Sequence, residues 1–139
     1  MKKVISTKIN INAPLDKVWN ILLDTQSYVQ WNPFMEIDGN LSQHNKINLT
    51  IKLSLKKVFK FKPTITIAEK GHIEWKGKFL FPGLLDACHT LRLNENGKNK
   101  TTFIHEETFS GLLTGFLDEK LTKSGFGKMN QALKEKAEK

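Results

Sequence analysis

Three side chains in this sequence could do acid–base chemistry from an apolar face. The segment "FIHEETFSG", residues 103–111, alternates as a β-strand does and sets His105 and Glu107 on the same side as Phe103 and Phe109. The segment "LLDACHTLRLN" alternates too, and carries His89 between Ala87 and Leu91. If the hairpin at "NENGKN" pairs Leu91 with Phe103, then His89 lies opposite His105 and Ala87 opposite Glu107. His89, His105 and Glu107 then form a compact inward cluster, with Trp75 on the neighbouring strand. A slip of one residue would turn the whole set to the other face.

Such a cluster admits three readings. In the first the groups are structural, bonded to one another or to buried water, as buried polar groups must be. In the second they fix the polar end of a mostly apolar ligand. In the third, Glu107 or His105 is a catalytic acid or base acting on a carbonyl substrate. Burial disfavours charge on both residue types, which brings them towards the neutral range such work needs. Two histidines and a carboxylate could also form a facial triad for iron. The spacing only suggests this, nothing like a zinc motif is present, and neither a metal nor any other cofactor is expected. Glu106 and Thr108 should face outward with Thr102, which makes Glu107 the buried member of the glutamate pair. Such a carboxylate must be paired, protonated or hydrated.

The elements that would hold these residues are legible from periodicity. "VISTKININA" reads as a strand, ended by Ala13-Pro14. "PLDKVWNILLD" reads as a helix with Pro14 at its start and Val18, Trp19 and Leu22 at core spacing. "TQSYVQWNPF" is a short second helix or turn stopped by Pro33. Strands follow: a short one at "MEIDGNL", a half-buried one at "KINLTIKLSL", and a long bent one at "VFKFKPTITIAEK". Pro63 interrupts that bent strand and marks an edge or bulge. "HIEWKGKFLF", "LLDACHTLRLN" and "KTTFIHEETFSG" complete the series. The carboxyl end changes to helical period, with Leu117, Leu121, Met129 and Leu133 on one face. Gly125 and Gly127 weaken that helix but permit a bend or a close approach. The order predicts an α+β fold: a curved, mostly antiparallel sheet of six to seven strands wrapped around a long C-terminal helix, as one domain over residues 1–139. Gly77, among Trp75, Phe79 and Phe81, looks like a position where the inward side chains leave space.

Composition narrows the class. At 139 residues, 39% hydrophobic and 26% charged, the chain suits one globular core. No apolar run approaches a membrane span, and no apolar stretch follows the first two lysines. A cytoplasmic protein is expected. The single cysteine, Cys88, excludes an internal disulfide; it should point away from His89 and be inert. The net charge of +8 favours acidic partners. Its densest stretch, "LKKVFKFKP", interleaves lysines with aromatics and allows weak contact with an anionic membrane. No nucleic-acid motif is present, so no nucleic acid is expected as a partner. His44 and His72 fall in expected turns, where they would be solvated.

The pieces "INAPLDKVWNILLDTQSYVQWNPF", "FKPTITI", "IEWKGKF", "GLLDACHTLRL", "TTFIHEETFSGLL" and "MNQALKEKAE" occur in an order that resembles the START/Bet v 1-like (SRPBCC) superfamily, the helix-grip fold. The nearest group is the bacterial polyketide cyclase/dehydrase-type domains. The resemblance covers nearly the whole chain and is specific for fold more than for chemistry. It implies a deep, largely apolar pocket between the sheet and the C-terminal helix, which in members holds lipids, polyketides, hormones and similar molecules. A few members catalyse cyclisation or dehydration, but no catalytic motif carries over to particular positions here. The expected ligand-binding set is therefore Trp75, Gly77 and Phe79 on one strand and His89 with Leu91 on the next. Phe103, His105 and Glu107 follow on the last strand, with Met129 on the helix and Trp31 at the pocket mouth. The expected function is binding of a hydrophobic small molecule as carrier or sensor, by a monomer or homodimer. A cyclase/dehydrase-like enzyme using Glu107 and His105, and a peripheral membrane lipid carrier, are the alternatives.

Overall fold

The computed structural model describes residues 1–139. Strand β1 (Lys2–Ile11) is followed by helix α1 (Leu15–Leu23), a 3-10 turn at Thr25–Ser27 and the one-turn helix α2 (Tyr28–Trp31). Seven strands follow: β2 (Met35–Asp38), β3 (Asn48–Lys52), β4 (Val58–Phe61), β5 (Thr64–Glu69), β6 (His72–Lys78), β7 (Asp86–Glu95) and β8 (Thr101–Ser110). Helix α3 (Glu119–Ala137) closes the chain. The architecture is the α+β arrangement the periodicity predicts, with the sheet divided in two. One part has the order β1-β8-β7-β6-β5 and the other β2-β3-β4. Pro63 sits at the division: β4 and β5 leave it into different sheets, joined by the Lys46/Thr64 bridge and by Ile47 N–H donating to the Pro63 carbonyl at 3.1 Å. The expected strand at 46–55 is shorter, because the chain bends after Lys52 and turns back at Ser54–Lys57.

The β7–β8 hairpin differs from the expected register by two residues. Leu93, not Leu91, faces Phe103; Leu91 faces His105, and His89 faces Glu107. A slip of two keeps every side chain on its face, since strand period is two. The inward set survives, but each member meets a different partner. His72 also departs from expectation. It opens β6, half-buried, and its Nε2 is enclosed without a partner, whereas His44 is exposed in a turn with φ 74°.

Helix α3 starts at Asp118, whose carboxylate accepts from Leu121 N–H at 3.0 Å, satisfying one of the unpaired amides of the first turn. Its buried stripe is Thr122, Gly125, Phe126, Met129, Asn130, Leu133 and Ala137. Leu117 precedes the helix and Leu121 is only half-buried, so the face is rotated from the one expected. The stripe packs across β1 and β8, with α1 and α2 alongside. The core it closes includes Ile11, Leu22, Tyr28, Ile73, Leu91 and Phe103, all fully buried.

Gly125 is the tight point of this packing. A Cβ there would lie 2.4 Å from Cε1 of Phe34, so the Phe34 ring can approach only bare backbone. Asn32 aims that ring: its Oδ1 accepts from Phe34 N–H at 2.9 Å and Met35 N–H at 3.0 Å, turning the chain from α2 into β2. Gly125→Ala should therefore destabilise the protein by about 1–3 kcal/mol through overpacking, despite the better helix propensity of alanine. Gly127→Ala, which meets nothing within 4 Å, should be neutral or stabilising. Chemical denaturation of the two variants checks this. Equal stabilities would refute the tight contact.

Candidate functional site

Inside the curve of the sheet lies a cavity of about 370 Å³. Its inner wall is Phe34, Trp75, Ala87, Glu107, Phe109 and Thr122; its outer wall is Leu49, Ile51, Leu53, Phe59, Phe61, Pro63 and Phe79, with Leu85, Leu113, Phe116 and Leu117. Lys57, Lys78 and Asp118 contribute polar atoms and are themselves exposed. The volume lies within the range of small-molecule sites and would hold about a dozen waters.

Of the residues expected to bind ligand, Trp75, Gly77, Phe79 and Glu107 line this cavity. His89, Leu91, Phe103, His105 and Met129 do not; they are buried in the core beside it. Trp31 is also off the cavity. It packs edge-on against Tyr28, with its indole N–H enclosed and unpartnered. Gly77 is less open than expected: a Cβ there would stand 3.3 Å from Cβ of Pro63. The wall residues of the β2-β3-β4 sheet were absent from the expected set. Their signal was the alternation of Leu49, Ile51 and Leu53, which marks an inward face without saying that the face is unfilled.

The polar residues form one continuous chain. The Glu107 carboxylate lies 3.2 Å from His89 Nδ1, and His89 Nε2 lies 2.7 Å from His105 Nε2. His105 Nδ1 lies 3.0 Å from Asn130 Oδ1, and Asn130 Nδ2 donates to Thr7 Oγ1 at 2.8 Å. The Thr7 hydroxyl donates its proton to the His105 carbonyl at 3.1 Å, so it must accept from Asn130. That fixes the amide orientation, and the amide oxygen then requires a proton on His105 Nδ1. Asn130 and Thr7 were missed from sequence. The signal was present: Thr122, Phe126 and Asn130 recur every four residues on one face of α3, and Thr7 alternates with Ile5 and Ile9 on β1.

Two hydrogen bonds, Asn130–His105 and His105–His89, need one proton each, and two neutral imidazoles supply both. Burial first, and then the neighbouring His89, press the His105 titration well below the usual histidine range, with the Asn130 hydrogen bond opposing. The ring planes are clamped: Trp75 stacks on His89 with centroids 4.8 Å apart, and Phe126 stacks on His105 at 3.9 Å.

Cys88 lies on the opposite face of β7, half-buried, and pairs across to Lys76 and Thr108. Burial, then the Glu74 carboxylate beside it, push its thiol up to about 11, which suits an inert side chain.

No protein-family model matches the sequence, and no curated protein matches it. Solved structures do. A START superfamily protein from Mycobacterium smegmatis aligns over 97% of this chain and 97% of its own, with a TM-score of 0.75 at 17% identity. Norcoclaurine synthase from Thalictrum flavum, in complex with dopamine and hydroxybenzaldehyde, aligns over 97% of this chain and 86% of its own, at TM-score 0.74 and 13% identity. The Zhui aromatase/cyclase from Streptomyces sp. R1128 aligns over 99% and 94%, at TM-score 0.70 and 15% identity. The fold is thus START/Bet v 1-like. Identities this low speak for architecture and leave chemistry to the site.

The neutral, buried His105 makes stability depend on pH. The unfolded chain takes up a proton on this histidine below about pH 6.5, while the folded chain does not until much lower. Stability should be full above about pH 6.5 and fall below it, by about 1.4 kcal/mol per pH unit from this group alone. In His105→Gln the slope between about pH 6.5 and 5 should lose one proton's worth. Urea denaturation across that range measures it, and an unchanged slope would show that His105 is not the group held neutral.

Proposed function

We propose that the protein binds a hydrophobic small molecule, lipid- or polyketide-like, in the cavity between sheet and α3, as a carrier or sensor. The observation that carries this reading is a cavity of about 370 Å³, walled by aromatic and aliphatic side chains, with one carboxylate in its inner wall. Large apolar side chains around an open space leave dispersion and burial energy unrealised, which a matching apolar molecule would supply. Native mass spectrometry of freshly purified protein, followed by organic extraction, should show a bound molecule or reveal loading when apolar compounds are added. Protein that stays empty under both conditions would sink the reading. Trp75→Ala should lower affinity, because the ring both lines the cavity and stacks on His89.

A second reading, acid–base catalysis of a cyclase or dehydrase type, draws on the contact between Glu107 and His89. Glu107 touches the cavity, and the neighbouring imidazole can hold or return its proton. His105 does not reach the cavity, so here it would be a positioning residue acting through His89. On any substrate turned over, Glu107→Gln should lower kcat by about 100-fold or more, the usual scale of general acid–base catalysis.

A third reading, a peripheral membrane lipid carrier, draws on the cavity mouth. Leu55, Val58 and Phe59 at the β3–β4 turn, Phe79, Leu80 and Phe81 after β6, and Leu112 and Phe116 after β8 are all exposed. The last two segments are tied together: Leu112 and Leu113 N–H donate to the Gly83 and Leu84 carbonyls. Lys56, Lys57, Lys60 and Lys78 stand among them. Apolar tips ringed by lysines fit an anionic bilayer surface. Vesicles containing phosphatidylglycerol should cosediment the protein in a salt-sensitive manner, and Leu80→Glu with Phe116→Glu should abolish it. Equal binding to neutral vesicles would remove the electrostatic part of the argument.

A further inference from the structure

We propose that the outer face of the sheet holds a second site, distinct from the cavity, which binds a compact polyphosphate anion in a groove lined by lysines. The proposal is independent of what the cavity holds.

The groove encloses about 760 Å³ across β5 to β8. Its floor follows from strand period and register. Lys76, Cys88 and Thr108 stand side by side on β6, β7 and β8, with Thr64 beside Lys76 on β5. Two residues along, Lys78, Asp86 and Ser110 form a second row. These residues alternate with Trp75, His89 and Glu107, so they face away from the cavity. Lys46 bridges to Thr64, and Lys62 precedes Thr64 by two residues, so two more lysines close the edge of the groove.

Four lysines thus surround the groove, all of them exposed. None is in an ion pair; the lysines that are paired are Lys3, Lys52, Lys70 and Lys134. Asp86 is the one carboxylate in the lining, and both its oxygens accept from Gly83 N–H, at 3.1 and 3.2 Å. The hydroxyls of Thr64, Thr108 and Ser110 line the groove and bond to no other protein group. On the far side of the Lys76 row the hydroxyls are engaged: Thr66 donates to Glu74 at 2.6 Å and Ser6 to Glu106 at 2.8 Å. The groove therefore offers ammonium groups and hydroxyls, and its single negative charge is already occupied.

An oxyanion answers these donors, and unpaired lysines gathered in one groove favour an occupant with several charges. Adjacent strands lie about 4.8 Å apart and the two rows about 7 Å apart, which suits two or three linked phosphates better than one. A longer polyanion is blocked by the sheet itself. Glu74 and Glu106 stand with Thr90 in the next row, placing carboxylates where a nucleic-acid strand would continue. Leu80 and Pro82 bound the groove as well. Charge and space together select a small polyphosphate, such as a nucleoside triphosphate, over nucleic acid.

The test is calorimetric titration of the full chain with tripolyphosphate, orthophosphate and citrate near neutral pH. Tripolyphosphate should bind saturably, at least about tenfold more tightly than orthophosphate, and should weaken as salt rises. Lys76→Gln with Lys78→Gln should weaken it by about tenfold or more, the scale of a lost charge-assisted contact. Lys123→Gln with Lys128→Gln removes the same charge from exposed positions on α3 and should have little effect. Equal losses in the two double variants would show attraction by net charge alone and overturn the proposal. Citrate binding as tightly as tripolyphosphate, or no saturable binding, would also overturn it. Vesicles containing a polyphosphoinositide distinguish the source of the phosphates. Binding that tripolyphosphate displaces assigns them to a lipid headgroup, and vesicles left unbound assign them to a soluble molecule; the site stands in both cases.

Discussion

The hydrogen-bond chain from Thr7 to His89, with Glu107 in contact at its end, is the constraint around which this molecule is arranged. It crosses the structure from β1 to α3 to β8 to β7 and back to β8, so five side chains on four elements must meet within hydrogen-bond reach. Each link left open would strand a buried polar group, at a cost of about 1–3 kcal/mol. The two-residue difference in the β7–β8 register matters for this reason. It brings His89 opposite Glu107 rather than His105, and the two imidazoles then meet diagonally, tip to tip. The chain also fixes the rotation of α3, since Asn130 has to face β1 and β8 and not solvent.

Aromatic packing supplies the rigidity that such a chain needs. An imidazole free to turn about its χ2 would break two hydrogen bonds at once. Here Trp75 covers one ring and Phe126 the other, nearly parallel in both cases. Phe126 is in turn met edge-on by Phe34, which reaches it only because position 125 is glycine. The same Phe34 ring forms part of the cavity wall. Cavity and polar chain are therefore two sides of one packed layer. A substitution that shifts Phe34 should be felt in both, because close-packed interiors transmit displacement from one contact to the next.

Much of this was legible in the sequence, and the limits have physical causes. Period-two alternation placed His89, His105 and Glu107 on the inner face, and a register error of two did not disturb it. The same alternation cannot say which residues sit opposite each other, because hairpin register depends on how many residues the loop takes. Here β7 extends to Glu95 and the loop is 96–100. Helical period found α3, but a stripe read from Leu117, Leu121, Met129 and Leu133 weighted the apolar residues and passed over Asn130. A buried asparagine carries no hydrophobic signal. What distinguishes it is the partner it satisfies, and that partner is on another strand. Pro63 was readable as a break, yet its consequence, the transfer of the chain from one sheet to the other, depends on pairings beyond the local sequence.

The contact between Glu107 and His89 bears on how an apolar cavity tolerates a carboxylate. An isolated Glu107 would either neutralise or draw water into the cavity, and a wet cavity competes with an apolar ligand. Pairing with one imidazole alone would bury an ion pair whose desolvation its mutual attraction does not always recover. Extending the pair through His105 to Asn130 and Thr7 changes the balance. Every donor in the series has an acceptor, and the terminal hydroxyl finishes on a backbone carbonyl, that of His105 itself. Between His89 and Asn130 the protons point one way, from His89 Nε2 to His105 Nε2 and from His105 Nδ1 to Asn130 Oδ1. The inner wall is apolar over most of its surface and meets a carboxylate at Glu107.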